Sequence, residues 1–237
     1  MAEQTRPGMG LGDTTGRLPT GPVTHWLCIL FFATSVLATI SQRKFGIGVE
    51  DLRFDMESLQ RLELWRLITY IFAQTKPLEH SFASSPFDQI LQSIFLLWAF
   101  GRSCESSLGS REFLRFFLVS AVGAAILAVP LHHLINFIKP FADIGYIEGP
   151  FSVTCAMCVA IALNAPNAQV SLGFMSPLHA RALIGLAVAL NMFFVAFFGM
   201  APLSFTLSGM LMGYLLVNRT WRPDLLWTRW RLARLRA

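Results

Sequence analysis

Charged residues are scarce in this chain of 237 residues. Asp, Glu, Lys and Arg make up 14% of the sequence, against about 25% in a typical soluble domain, whereas hydrophobic residues make up 54%. The mean hydropathy is +0.54. This composition excludes a soluble globular fold and predicts an all-α, polytopic membrane protein with one membrane domain at residues 23–217.

The start of the chain lacks a long apolar run. Residues 1–22 are rich in Gly, Thr and Pro, so we predict a disordered arm there, not a signal peptide or a helix. The first apolar segment, Val23–Ser41, has no small-residue cleavage site before a soluble domain, and further apolar segments follow it. We therefore expect it to stay in the membrane.

The sequence offers little for a metal or a cofactor. The two adjacent histidines, His132 and His133, have Asn136 nearby but no further ligand at a suitable spacing. The cysteines fall in or beside apolar segments, which is typical of small buried residues in a helix bundle. We expect neither a metal nor a cofactor. The cysteines are Cys28, Cys104, Cys155 and Cys158.

What the sequence does contain is a series of six apolar segments, which we predict to be a bundle of six transmembrane helices. The loop between the first two, residues 45–88, has four Lys/Arg and seven Asp/Glu, a negative balance that the outer side of a membrane tolerates. Short amphipathic pieces predict that this loop is partly embedded, with Trp65 and Arg66 as its anchor at the membrane–water interface. The segments are Val23–Ser41, Ile90–Phe100, Phe113–Ile138, Pro150–Leu163, Ala180–Phe198 and Leu203–Val217.

Residues 218–237 combine several arginines with Trp221, Trp227 and Trp230. Basic and aromatic residues beside a membrane helix predict an interfacial tail on anionic lipid, and no nucleic-acid-binding fold accompanies them. Six spans place both termini on one side. The basic tail, together with the three arginines of residues 102–115, predicts that this side is cytoplasmic.

The fourth apolar segment is too short to cross a bilayer. Its fourteen residues reach about 21 Å as a helix, against a hydrocarbon core of about 30 Å. Pro150 suits the first helical position, and Pro166 follows the end of the segment. One end must therefore stop at mid-depth, where only surrounding protein or a water cavity can satisfy the irregular backbone. We predict a short helix held inside a ring of longer ones.

The sixth segment contains Gly209 and Gly213, a small-xxx-small pattern that lets two helix backbones approach closely. The fourth segment is the expected partner, because it is rich in small residues. A close contact of these two helices would place a buried polar site at the start of the short helix, beside Gly149.

Several motifs together resemble the rhomboid superfamily of intramembrane serine proteases (peptidase family S54). The first loop contains Glu63-Leu64-Trp65-Arg66, and the resemblance covers about residues 23–217. The remaining motifs are Gly101-Arg102 with Glu105, Leu108-Gly109-Ser110, Gly149 before the short fourth segment, and the Gly209/Gly213 pair.

The resemblance implies positions for a catalytic serine and histidine, and both are changed. The serine position is Glu148, and the histidine position is Thr206; the two oxyanion-binding positions of the second helix are Gln89 and Ser93. A serine protease needs an activated hydroxyl, a base and oxyanion donors. Glu148 is a poor acyl acceptor for peptide hydrolysis, and Thr206 cannot act as a base near neutral pH.

Two interpretations of Glu148 stay open: a buried carboxylate that binds a polar group or a proton, or an N-terminal cap satisfied by its own helix and water. For the whole chain we expect a pseudoprotease that binds transmembrane segments of other proteins. The alternatives are a structural accessory subunit of a larger membrane complex and a divergent intramembrane endopeptidase. The stretch Leu108–Leu114 resembles bacterial rhomboids, which predicts a bacterial inner membrane.

Overall fold

The computed structural model describes residues 21–45, 52–55, 58–59, 61–73, 86–138, 146–147, 149–167, 169–170, 178–198 and 201–218. These ranges are mostly helical, as predicted. The long helices are α1 (Pro22–Phe45), α2 (Pro86–Leu108), α3 (Ser110–Ile138), α4 (Phe151–Asn164), α5 (Ala180–Phe198) and α6 (Ala201–Val217).

One described helix, α3, is long and apolar enough to cross a membrane by itself. Among the described residues, the apolar stretches of α1, α4, α5 and α6 are shorter than that of α3, and α2 contains Asp88, Arg102 and Glu105. In this part of the chain, the structure therefore provides one clear spanning helix of the six predicted.

Pro130, Pro150 and Pro22 lie in or beside the helices. The third apolar segment contains Pro130, a residue that usually interrupts a helix, but α3 continues through it, and the ring is exposed at the helix surface. Membrane helices tolerate proline because neighbouring groups satisfy the freed backbone atoms. Pro150 is the N-cap of α4, one residue before the predicted first helical position, and α1 begins at Pro22.

The connections between helices contain short β-ladders, which an all-α prediction omits. In the first loop, β1 (Phe54–Asp55) pairs antiparallel with β2 (Tyr146–Ile147), the segment that precedes α4. After α4, β3 (Gln169–Val170) pairs with β4 (Leu178–His179). Each ladder satisfies backbone groups that helices cannot satisfy where the chain turns.

The first loop also contains a helical turn, Arg66–Thr69, followed by a 3₁₀ turn, Tyr70–Phe72. Leu67, Tyr70 and Ile71 are buried and belong to the same core as residues of α2, α3 and α4. The loop is therefore packed into the helical domain.

The short helix α4 lies at the centre of the fold. Every residue from Ser152 to Ala162 is buried, and α4 packs against α2, α3, α5 and α6. Apolar residues all around a helix are typical of a buried one. The other helices form the ring around α4, and α1 packs on the outside of α2.

Candidate functional site

A very close backbone contact joins α4 and α6. A Cβ atom on Gly209 would overlap the carbonyl oxygen of Ser152, and a Cβ atom on Gly213 would lie 2.5 Å from that of Ala156. Both pairs advance in the same chain direction, so the two helices run parallel here. The glycines are required because any side chain would push the helices apart.

The described polar groups beside this contact are hydroxyls bonded to their own helices. Thr206, at the position that the resemblance assigns to the catalytic histidine, is fully buried and donates to the Leu203 carbonyl at 3.1 Å. Ser208 donates to the Phe205 carbonyl at 2.8 Å. These hydroxyls can accept or donate hydrogen bonds, but they cannot act as a general base at neutral pH.

The start of α4 is fastened to the first loop. Gly149 has a φ of +77°, a conformation that favours glycine, and its N–H donates to the Tyr70 carbonyl at 2.8 Å. The Tyr70 hydroxyl donates to the carbonyl of Ala121 at 3.0 Å. Ala121 lies near the middle of α3, so the start of α4 is close to the middle of the longest helix.

The remaining positions of the resemblance are less informative. Glu148 and the side chain of Gln89 lie outside the described part of the structure. Ser93 is buried on α2. The structure therefore does not bring a catalytic set together from the described residues.

Trp65 and Arg66 have opposite environments. Trp65 is 57% exposed. Arg66 is buried, forms ion pairs with Glu63 at 2.5 Å and with Asp55 at 3.6 Å, and donates to the Arg53 carbonyl at 3.1 Å. Arg66 thus links the helical turn of the first loop to the preceding Glu63 and to β1.

A second polar centre joins α1 to the α2–α3 turn. Glu105 is buried at the end of α2 and accepts hydrogen bonds from the Thr24 N–H at 2.8 Å, the Thr24 hydroxyl at 2.7 Å and the Val23 N–H at 3.2 Å. Ser110 donates to the same carboxylate at 2.6 Å. Glu105 therefore caps α1 from another helix.

The environment of Glu105 also sets its ionisation. Burial disfavours its charge, but the hydrogen bonds from Ser110, Thr24 and Val23 outweigh burial and hold the pKa of Glu105 below its ordinary value of 4.5. Glu105 belongs to a motif in the sequence, but this role could not be predicted there, because Val23 and Thr24 are about 80 residues away.

A third feature is the space between α2 and α5. Both helices pack against α4, but in the described residues they do not pack extensively against each other. Cys158 of α4 lies near Cys104 of α2, and Cys155 of α4 lies near Asn191 of α5. Cys155 and Cys158 are three residues apart, so one face of α4 closes the inner side of this space. We call it the α2–α5 gap.

Asn191 was missed by the sequence analysis. It is a buried amide inside an apolar segment, and polar residues at such positions are functional candidates by default. The described residues contain no group of three His, Cys, Asp or Glu side chains that could hold a metal ion.

Comparison with known families identifies the chain at the family level. Residues 25–218 match the model of a eukaryotic integral membrane protein family, DUF1751. The match covers most of the sequence, so the chain belongs to this family. No curated protein matches it.

The family corrects the predicted location. An integral membrane protein was expected and is confirmed, but the prediction of a bacterial inner membrane is wrong because the family is eukaryotic. The stretch that suggested bacteria, Leu108–Leu114, is explained by geometry. Gly109 has a φ of +85° where α2 ends, and Ser110 bonds to Glu105. These residues build a turn and say little about lineage.

Proposed function

We propose that this protein is a six-spanning, rhomboid-like pseudoprotease that binds transmembrane segments of other membrane proteins, with both termini in the cytoplasm. The observation that supports it best is the α2–α5 gap: both helices pack against the buried α4 but, among the described residues, not extensively against each other. Such a gap can admit a helix from the side, within the membrane.

The polar groups at the resemblance's catalytic positions support a binding role over catalysis. The Thr206 and Ser208 hydroxyls donate to carbonyls of their own helix, and the Gly149 N–H donates to Tyr70. Peptide hydrolysis needs an activated nucleophile and donors aimed at the oxyanion. Here the described groups serve the packing of α4.

The flank of α2 that faces the gap follows from helix geometry. Gly101 lies against Thr24, so α1 covers that side of α2. With about 100° per residue, Gln92 and Leu96 lie on the opposite side. Gln92 is exposed and Leu96 is partly buried.

The flank of α5 is assigned in the same way. Asn191 faces α4. Around the circumference of α5, the buried residues Leu183 and Ala187 lie to one side of Asn191. Val188 and Met192 lie on the other side, and Met192 is 56% exposed. Gln92, Leu96, Val188 and Met192 therefore border the gap.

The test is photo-crosslinking in the native membrane with a photoreactive amino acid at Leu96 or Met192. We expect crosslinks to many substoichiometric membrane proteins, with the crosslinked peptides inside their transmembrane segments. Matched controls are Leu91 on α2 and Leu186 on α5, which are exposed, lie on other sides of the same helices and should yield only background.

Other outcomes would identify the alternatives. One stoichiometric partner, crosslinked at gap and control positions alike, would show an accessory subunit. Cleavage of captured segments by the purified protein would show a divergent endopeptidase. An absence of crosslinks above background at Leu96 and Met192 would refute the proposal.

A further inference from the structure

One face of α2, outside the α2–α5 gap, has the length and the polarity of a single lipid molecule. Four residues on it are four, three and four positions apart, a spacing that places them in one row along a helix. They are Leu91, Phe95, Trp98 and Arg102. Leu91 is 48% exposed and Phe95 is 37% exposed, while the other two side chains are partly exposed. We call these four residues the α2 row.

At one end of the α2 row, the guanidinium of Arg102 stacks on the ring of Trp98, with its Cζ atom 4.8 Å from the ring centroid. Trp98 packs against the hydrophobic core, and its ring centroid lies 6.5 Å from that of Phe95. The ring therefore gives the guanidinium a fixed support. Stacking uses the face of the guanidinium, whereas its N–H donors lie in its plane, where two of them can bind two oxygens of a phosphate.

Arg102 lies at the level of the lipid headgroups. It is six residues from the end of α2, about 9 Å along the helix axis, and Arg115 of α3 lies about as far from the same turn. The neighbouring α1, whose start is capped by Glu105, carries Trp26 in its first turns, and Trp26 is 69% exposed. Arginine and tryptophan at one level of a helical membrane protein are typical of the membrane–water interface.

The apolar end of the α2 row reaches towards the middle of the membrane. From Arg102 to Leu91 the row rises about 16 Å, and one leaflet contributes about 15 Å of hydrocarbon. Phe95 and Leu91 present exposed apolar surface along this distance. The row therefore matches one phosphate with one acyl chain below it.

The charges around Arg102 favour an anionic ligand. The carboxylate of Glu105, three residues further along α2, is buried and accepts hydrogen bonds from the starts of α1 and α3. At the start of α3, Arg111 and Arg115 stand against one exposed carboxylate, that of Glu112. Basic residues at a membrane surface attract anionic lipids.

We propose that the α2 row binds one anionic phospholipid of the leaflet on the side of the α2–α3 turn. Its phosphate lies on Arg102, and one acyl chain lies along Phe95 and Leu91. The site is independent of the α2–α5 gap, because Gln92 and Leu96 lie on another side of α2. In the proposed topology this leaflet is the cytoplasmic one.

The experiment uses the full chain in phosphatidylcholine vesicles that contain a small fraction of phosphatidylserine with a photoreactive acyl chain. After illumination, mass spectrometry identifies the labelled residues. We expect adducts on Leu91 or Phe95, and about fivefold fewer in Arg102→Gln, the factor that one basic residue usually contributes to the binding of anionic lipid. Phosphatidylcholine with the same photoreactive chain should label these residues only weakly.

Two further variants test the role of Arg102. Arg115→Gln removes a positive charge at the same level on α3, where Arg115 pairs with Glu112 at 2.9 Å, and should leave the labelling unchanged. Arg102→Lys keeps the charge without the planar guanidinium, so its labelling should lie between those of wild type and Arg102→Gln. This variant also tests the site if the glutamine variant does not fold.

Three results would overturn the proposal. Equal labelling by the two lipids, or an equal loss in Arg102→Gln and Arg115→Gln, would show a diffuse attraction between the basic surface and the membrane. Labelling of Arg102→Lys at the wild-type level would show that the stacked guanidinium is not needed. In the native membrane, a photoreactive amino acid at Phe95 should capture lipid, and capture of a membrane protein there would show that a partner helix covers the α2 row instead.

Discussion

The Cα of Gly213 faces the carbonyl oxygen of Ala156 so closely that a Cβ atom would lie 2.5 Å from it. One turn earlier, Gly209 has the same relationship to Ser152. Backbone cannot move aside as a flexible side chain can, so the spacing of α4 and α6 is fixed by these two glycines. Since α4 is the helix on which the ring packs, this contact controls the whole arrangement.

Alanine at Gly209 or Gly213 should therefore destabilise the protein by about 1–3 kcal/mol, the usual cost of overpacking, or prevent assembly. Thermal stability in mild detergent measures this. Gly123→Ala should cost less, because its Cβ atom would meet only the Met212 side chain. A Cβ atom on Gly185 would meet nothing within 4 Å, so Gly185→Ala should be neutral or stabilising. Equal effects at all four positions would contradict the close-contact explanation.

The carboxylate of Glu105 should make stability depend on pH. A carboxyl group whose pKa is lowered in the folded state contributes stability above its unfolded pKa, and loses that contribution as pH falls through the folded pKa. Glu105→Gln should thus cost about 1–3 kcal/mol at pH 7, since hydrogen bonds to a charged acceptor are lost. The difference in stability between Glu105→Gln and wild type should become smaller below about pH 4.5.

The control for this change is Glu112→Gln. Glu112 is exposed and pairs with Arg115 at 2.9 Å on the same helix, an arrangement that contributes little. The melting temperatures of wild type, Glu105→Gln and Glu112→Gln, measured from pH 7 to pH 3.5, test this prediction. A constant deficit for Glu105→Gln across this range would show that its charge is not what stabilises α1.

The hydroxyl of Tyr70 should stabilise the first loop. Tyr70→Phe removes one buried hydrogen bond to Ala121, which is worth about 0.5–1.5 kcal/mol, and should speed proteolysis within the loop. Tyr214→Phe makes the same chemical change at a side chain that is 48% exposed and should have no effect. Equal cleavage rates in wild type and Tyr70→Phe would mean that the loop is held by its apolar contacts alone.

Restoring the two changed catalytic positions should not restore proteolysis. In Glu148→Ser with Thr206→His, the oxyanion positions Gln89 and Ser93 remain altered, and the Gly149 N–H stays engaged with Tyr70. Cleavage of a labelled transmembrane substrate in liposomes tests this. Activity well above that of the wild type would show that the fold retains a working oxyanion site.

The sequence predicted the helices well, because each long apolar segment carries its own signal. The short α4 is the best case: a run of fourteen apolar residues that cannot span a bilayer has to be buried in protein, and the helix is found at Phe151–Asn164. The sixth segment was named as its close partner from the Gly209/Gly213 pair, and Cβ atoms on these glycines would collide with the backbone of α4 at Ser152 and Ala156.

The polar centres could not be predicted in the same way. Glu105 caps a helix that begins about 80 residues earlier, and neither residue signals the other locally. The ladder between β1 and β2 involves two residues on each side, too few for a period-2 pattern. The sequence shows Asn191 as an isolated polar residue in an apolar segment, but it does not show that Cys155 lies beside it.

The pairing of Phe54 with Ile147 has a consequence for synthesis, because the two positions are 93 residues apart. At about 5–20 residues per second, roughly 5–20 s pass between the synthesis of one partner and that of the other. During this time α2 and α3 are synthesised, and β1 does not yet have β2 to pair with. The first loop thus leaves the ribosome early but acquires this pairing only after the third helix is complete, which makes its closure a late step in folding.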